Sequence, residues 1–233
     1  MSPTDGVISE AWDVYKAHWR HLLTFSFVVF VAVALIAALL HGVFDFWLAT
    51  ILEALVSLVA FFWLQAALVK AVEDVRDGRS DLSLADTFDQ ARQHLTPVIV
   101  AGILAGLGIL LGLILLIVPG LVLLTWWAVI IPVIVLENRS AGESFTRSRE
   151  LVRGYGWNVF GMIVLVILLL IGVELALEII LKSLKEWLQS FLSQFISGTL
   201  TAPFTATVLT LLYFRLRAAK ETPQAPPPPP TPA

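Results

Sequence analysis

The sequence predicts an all-α integral membrane protein of six transmembrane helices, paired as three hairpins and each pair preceded by an interfacial amphipathic helix on the cytoplasmic side. Three observations predict it. The 233-residue chain is 58% apolar and only 14% charged, with a mean hydropathy of +0.86, whereas a water-soluble domain keeps about a quarter of its residues charged. Six long apolar runs follow one another along the chain, and a bilayer core takes about 20 helical residues to cross. The polar segments ahead of the first, third and fifth runs share one pattern of residues.

The first run, 22–40, is longer than a signal-peptide core and follows Asp5, Glu10 and Asp13, so it reads as an uncleaved membrane helix. Residues 41–46 turn the chain into the second run, 47–69. The third and fourth, 97–118 and 121–136, meet at Val118-Pro119-Gly120. The fifth covers 157–181, and the sixth 196–214. Between these two, Leu184, Trp187, Leu188, Phe191, Leu192 and Phe195 recur at three-four spacing, which predicts an amphipathic helix on the outer surface. Glu174, Glu178 and Lys182 share a helix face, with the last two spaced to pair.

Lysine and arginine set the expected orientation, because cytoplasmic loops hold them in excess. Thirteen of the 15 fall on one side: Lys16, Arg20, Lys70, Arg76, Arg79, Arg92, Arg139, Arg147, Arg149, Arg153, Arg215, Arg217 and Lys220. Only Lys182 and Lys185 fall on the other. The expectation is a multi-pass protein of the cell membrane with both termini in the cytoplasm. Trp47, Trp126, Trp127, Trp157 and Trp187 lie near span ends and read as anchors in the headgroup belt.

The three pre-hairpin segments superpose residue by residue. Acid, small residue, aromatic and a base four residues later appear as Glu10-Ala11-Trp12 with Lys16, Asp86-Thr87-Phe88 with Arg92, and Glu143-Ser144-Phe145 with Arg149. A helical stripe continues through Tyr15 and Trp19, Ala91 and Leu95, and Ser148 and Val152. The second and third copies open with Gly78-Arg79-Ser80 and Asn138-Arg139-Ser140 and carry capping boxes, Ser83 with Asp86 and Ser140 with Glu143. The first copy departs, with Val7 at the capping position. Residues 1–217 therefore read as one membrane domain of three repeats, about 5–76, 77–137 and 138–217, and residues 218–233 as a disordered, proline-rich cytoplasmic tail. Equivalent bases at the headgroup level, Lys16, Arg92 and Arg149 together with Arg153, are the candidates for meeting lipid phosphates.

Within the third span, Gly102, Gly106, Gly108 and Gly112 form two small-xxx-small pairs for close helix approach. Pro132 and Pro203 can bend the fourth and sixth spans, and the threonines around Pro203 can satisfy freed carbonyls. No cysteine is present, which removes disulfides, thiolate metal sites and cysteine nucleophiles. His18, His21, His41 and His94 lack metal-ligand spacing, and no phosphate-binding or dinucleotide motif occurs, so neither metal nor cofactor is expected. The bases follow the membrane side, which argues against nucleic acid as a partner.

The stretch from Val118-Pro119-Gly120 to Trp126, then 131–137, Ser144 to Ser148, Arg149-Glu150-Leu151-Val152-Arg153-Gly154 and Trp157, resembles the membrane domain attached to some bacterial glycerophosphodiester phosphodiesterases. Pro203-Phe204-Thr205 and residues 212–217 resemble that domain's last span. The resemblance implies a multi-helix membrane domain in an envelope-lipid setting. It does not imply phosphodiesterase activity, since the catalytic barrel of those enzymes is a separate soluble domain for which this chain has no room. The sequence thus leads to a non-catalytic lipid-binding or scaffold protein of the bacterial envelope, with membrane lipids as partners and any protein partner unidentified. The alternative is a small transporter or lipid translocator, motivated by the glycines, intramembrane prolines and threonine-rich sixth span.

Overall fold

The structure, a computed structural model, describes residues 2–76 and 82–221, apart from the side chain of Trp187. The described residues are helical and contain no strand: α1 (Val7–Val43), α2 (Phe46–Arg76), α3 (Leu84–Arg92), α4 (Leu95–Leu115), α5 (Ile117–Trp126), α6 (Ile130–Glu137), α7 (Ala141–Val152), α8 (Gly156–Leu181) and α9 (Glu186–Glu221). Six helices, α5 and α6 counting as one, are long and apolar enough to cross a membrane. This is the architecture of a multi-pass membrane protein.

Local chemistry explains most boundaries. Ser83 caps α3 by accepting the Asp86 N–H at 3.2 Å. Ser140 and Glu143 form a full capping box on α7, each side chain taking the other's backbone N–H. Glu143 is held below the usual carboxylate range by hydrogen bonds from the Ser140 hydroxyl and backbone N–H. Asn138 ends α6 in the left-handed region at φ 51°, a conformation asparagine tolerates better than most residues.

Several expected elements run differently. The polar segment before the first span and the span itself are two helical parts of α1 that meet at a kink, where His18 leaves helical geometry at φ −121° and ψ 21°. The outer-surface helix expected over 184–195 runs straight into the last span as α9, because nothing between Phe195 and Ile196 breaks a helix. The fourth span is split at residues 127–129 into α5 and α6. Pro132 explains the split: it has no N–H to offer the preceding turn and stands in the first turn of α6, where none is needed. Pro203, by contrast, lies within an unbroken α9, with Thr207 donating to the Pro203 carbonyl at 2.7 Å. Residues 218–221, expected in the tail, belong to α9. The rest of the tail and Gly78-Arg79-Ser80 lie outside the described residues.

The core sits at the end of the bundle that carries the arginines. Leu64, Ala66, Ala67, Leu68, Ala71 and Val72 of α2 are buried, as are Val133 and Ile134 of α6 and Val208, Leu211, Leu212 and Leu216 of α9. These three helices touch one another, and the alanines of α2 allow the close approach. Around them α1 packs on α2 and α9, α4 on α5, α6 and α2, and α8 on α9 and α5. At the opposite end the surface is broadly apolar and open: Trp47 is 74% exposed, Leu115 77% and Ile179 73%. In a bilayer such surface faces hydrocarbon at no cost.

Candidate functional site

The polar residues that the fold gathers most tightly lie at the basic end, where α6, α7 and α9 meet. Glu137, the last residue of α6, is nearly buried, its side chain 9% exposed. Its carboxylate accepts from Arg139 Nε at 2.8 Å, from Arg147 Nε at 3.0 Å and from the Tyr213 hydroxyl at 3.1 Å. Arg147 also donates from Nη2 to Glu221 at 2.5 Å. Arg217 completes a ring by donating to Glu221 at 2.8 Å and to Tyr213 Oη at 3.3 Å. Burial pulls the Arg147 pKa down, but its bonds to Glu137 and Glu221 outweigh that and leave it above its ordinary value. Two carboxylates and three guanidiniums thereby satisfy one another, so the cluster clamps three helices and presents no unpaired base to a ligand.

Sequence reasoning did not single out this cluster. Arg147 replaces Val14 and Gln90 of the other copies two residues past the shared aromatic, and that was the available signal. Its partners Tyr213 and Glu221 are 76 residues from Glu137 and 74 from Arg147 respectively, so no local pattern links them.

The bases expected at the headgroup level lie at the surface, apart from one another. Lys16, Arg92, Arg149 and Arg153 are all exposed, on three different helices or their caps. Lys16 pairs with Asp13 at 3.1 Å and lies 5.8 Å from the Trp12 ring centre. The Arg149 guanidinium stacks 4.1 Å over Trp126. The side chains of Arg92 and Arg153 have no charged or hydrogen-bonding partner among the described residues; the Arg153 carbonyl accepts from Lys220 at 2.7 Å.

Each of the three motif segments is fixed to the bundle by its aromatic. Trp12 meets Phe204 of α9 edge-on at 6.2 Å, and Tyr15 donates to the Leu200 carbonyl at 3.1 Å. Phe88 meets Trp63 of α2 at 5.3 Å, and the indole donates to the Phe88 carbonyl at 3.0 Å. Phe145 meets Trp127 at 4.9 Å, and Ser148 donates to the Trp126 carbonyl at 2.8 Å. The stripe residues Tyr15, Ala91, Ser148 and Val152 are buried against these helices, whereas Trp12 and Trp19 of the first copy are about half exposed, at 50% and 48%. Trp126 and Trp127 accordingly pack within the protein, while Trp47 and Trp157 are exposed as belt anchors would be.

The glycines differ among themselves. A Cβ on Gly102 would stand 2.1 Å from the Phe62 ring, on Gly108 2.8 Å from Trp127, and on Gly112 2.9 Å from the Gly120 backbone. Gly106 has nothing within 4 Å and takes no part in this packing, because it faces outward from α4. At the opposite end, Glu178 and Lys182 do not pair. Lys182 caps the end of α8, and Gln189 of α9 donates to the Glu178 carbonyl at 3.3 Å while Ser193 donates to the Glu174 carboxylate at 3.2 Å. His41 bonds to Glu53 at 2.9 Å between α1 and α2. Among the described residues no cluster of His, Asp or Glu could hold a metal ion. The chain matches no family model, no curated protein and no solved structure.

Proposed function

We propose that the protein is a non-catalytic lipid-binding or scaffold protein of the bacterial cell membrane, with its basic end in the cytoplasm and anionic headgroups as its ligands. One observation carries the reading. In each of three segments an aromatic meets an aromatic of a neighbouring helix, and a base one helical turn later is left at the surface: Trp12 with Lys16, Phe88 with Arg92, and Phe145 with Arg149. A rigidly held helix bearing an exposed base next to an apolar surface suits a phosphate at the edge of hydrocarbon. Arg153, one turn beyond Arg149, adds to the same surface.

The reading includes a pseudo-threefold plan. Each unit is a motif segment plus a hairpin, and each segment packs on the second helix of the preceding hairpin, with the first segment returning to α9 of the last. The resemblance to the membrane domain of glycerophosphodiester phosphodiesterases agrees with a setting in envelope lipid metabolism. Native mass spectrometry of the protein in phosphatidylcholine and phosphatidylglycerol nanodiscs tests the headgroup claim. The R92Q/R149Q double variant, which leaves Lys16 in place, is expected to weaken preferential retention of phosphatidylglycerol, and unchanged retention overturns it.

A second reading, a small transporter or lipid translocator, draws on the mid-span break at residues 127–129 and on the buried hydroxyls of Thr199 and Thr210, which have no partner among the described residues. Broken helices and unpaired polar groups at membrane depth line pathways in transporters. Flux of a labelled phospholipid across proteoliposome membranes would favour it over the first.

A further inference from the structure

Two of the three hairpins are incompletely filled. Between α1 and α2 runs a furrow of about 560 Å³ with a wholly apolar lining that includes Val33, Val56 and Ala60, walled toward the basic end by Trp63 and by Phe88 of α3. Between α8 and α9 runs a second, of about 520 Å³, lined by Leu170, Val173 and Leu200 and walled by Trp12 and Phe204. The two are built alike: two helices of one hairpin, plus the aromatic of the next motif segment in the cyclic order. The corresponding place between α4 and α5 is closed. There the Trp127 ring lies against Gly108, and the Gly112 and Gly120 backbones touch. In this one unit the chain supplies its own filler.

An empty apolar furrow forfeits the dispersion contacts of its lining atoms, and in a bilayer hydrocarbon is the material at hand. What separates these furrows from ordinary lipid-facing surface is the base next to each. Arg92 lies one helical turn past Phe88, exposed and without an ionic partner among the described residues, and Lys16 lies one turn past Trp12. We propose that each of the two furrows seats an acyl chain of an anionic glycerophospholipid from the leaflet at the basic end, its phosphate held by Arg92 at one furrow and by Lys16 at the other. A third furrow, of about 620 Å³, lies between α5 and α8, helices of different hairpins, and its lining includes the polar Thr125 and Asn158; it does not follow this plan, so the chain carries two lipids of this kind. This rests on the headgroup reading above and adds to it the site, the occupant and the number.

The test separates the two claims. In nanodiscs of phosphatidylcholine and phosphatidylglycerol, wild type is expected to retain two lipids per chain through collisional release, both phosphatidylglycerol. Ala60→Phe, which puts a ring into the first furrow, should retain one fewer, and Val173→Phe should do the same for the second. Leu110→Phe, an equal bulk on exposed α4 surface, should retain two. R92Q should keep the number and lower the preference for phosphatidylglycerol over phosphatidylcholine about tenfold at one site, the value of one charge-assisted hydrogen bond. If Ala60→Phe and Val173→Phe retain as many lipids as wild type while R92Q loses its preference, the furrow sites are wrong and the headgroup reading survives. If neither kind of variant changes anything, both fall. A lipid-free dimer would mean that a second copy covers the furrows and would overturn the proposal. Where a ring variant fails to fold, wild type is labelled with phosphatidylglycerol carrying a diazirine in its acyl chain. Crosslinks concentrated at Val33, Val56 and Ala60 support the site, and labelling as heavy at Leu115 or Leu168 as in the furrow overturns it.

Discussion

Glu137 shows how one carboxylate can organise a helix junction. It accepts from Arg139, Arg147 and Tyr213 while nearly buried, so its removal takes the acceptor from Arg139 and Tyr213 and leaves Arg147 with Glu221 alone. Hydrogen bonds to a charged group contribute about 1.5 to 3 kcal/mol, and with its partners still partly solvated we expect Glu137→Ala to destabilise by that amount in thermal melts of detergent-solubilised protein. Arg139→Ala should cost far less, since Arg139 is the more exposed partner and Arg147 still holds the carboxylate. Glu143 gives a pH signature at the same scale. Its pKa is lowered in the folded protein by the Ser140 bonds, so its contribution is present above the unfolded carboxylate pKa and fades as pH falls through the folded value. The stability difference between wild type and Glu143→Gln should therefore be present at neutral pH and vanish on acidification into that range. Ser140→Ala should cost about 1 kcal/mol, as helix caps generally do.

Among the elements, α4 carries the clearest contrast between glycines of one helix. Gly112→Ala would press a methyl against the Gly120 backbone, which cannot yield as a side chain would, whereas Gly106→Ala enters open space. Thermal melts should show the first to be clearly destabilising and the second neutral or stabilising by up to about 1 kcal/mol, the helix propensity difference. Both glycines belong to small-xxx-small pairs, so the sequence offered no means of telling them apart; the facing of a helix is settled by its neighbours. The same reasoning marks what was legible elsewhere. The apolar helices could be read because hydropathy acts through composition along a single segment, and the caps at Ser83 and Ser140 because they act within one turn. The continuity of the 184–195 segment with the last span in α9 was not legible, since amphipathic and fully apolar stretches differ in surface but not in backbone. Nor was the Glu137 cluster, whose partners come together only when α6, α7 and α9 pack.

For the molecule as a whole, the fifteen bases place a strong demand on topology. The chain has no cysteine, so single cysteines can be introduced against a blank background. Replacements at Arg92, Glu150 and Ala218 should react with a membrane-impermeant maleimide from one side of oriented vesicles, and replacements at Phe44 and Ser183 from the other. Labelling of all five from the same side would contradict the arrangement of spans.

The segment from Val7 to Tyr15 finds its partner in the last helix. Tyr15 bonds to a carbonyl 185 residues away, and Glu10 pairs with Arg215. During synthesis this segment is made long before its partner and must wait, with the apolar faces of Val7 and Ala11 uncovered, until α9 follows. The contact between the two ends thus waits for α9, and a chain stalled before α9 exposes this segment to proteases. Protease sensitivity near Trp12 should persist in nascent chains arrested at residue 190 and disappear once residue 221 has cleared the insertion machinery.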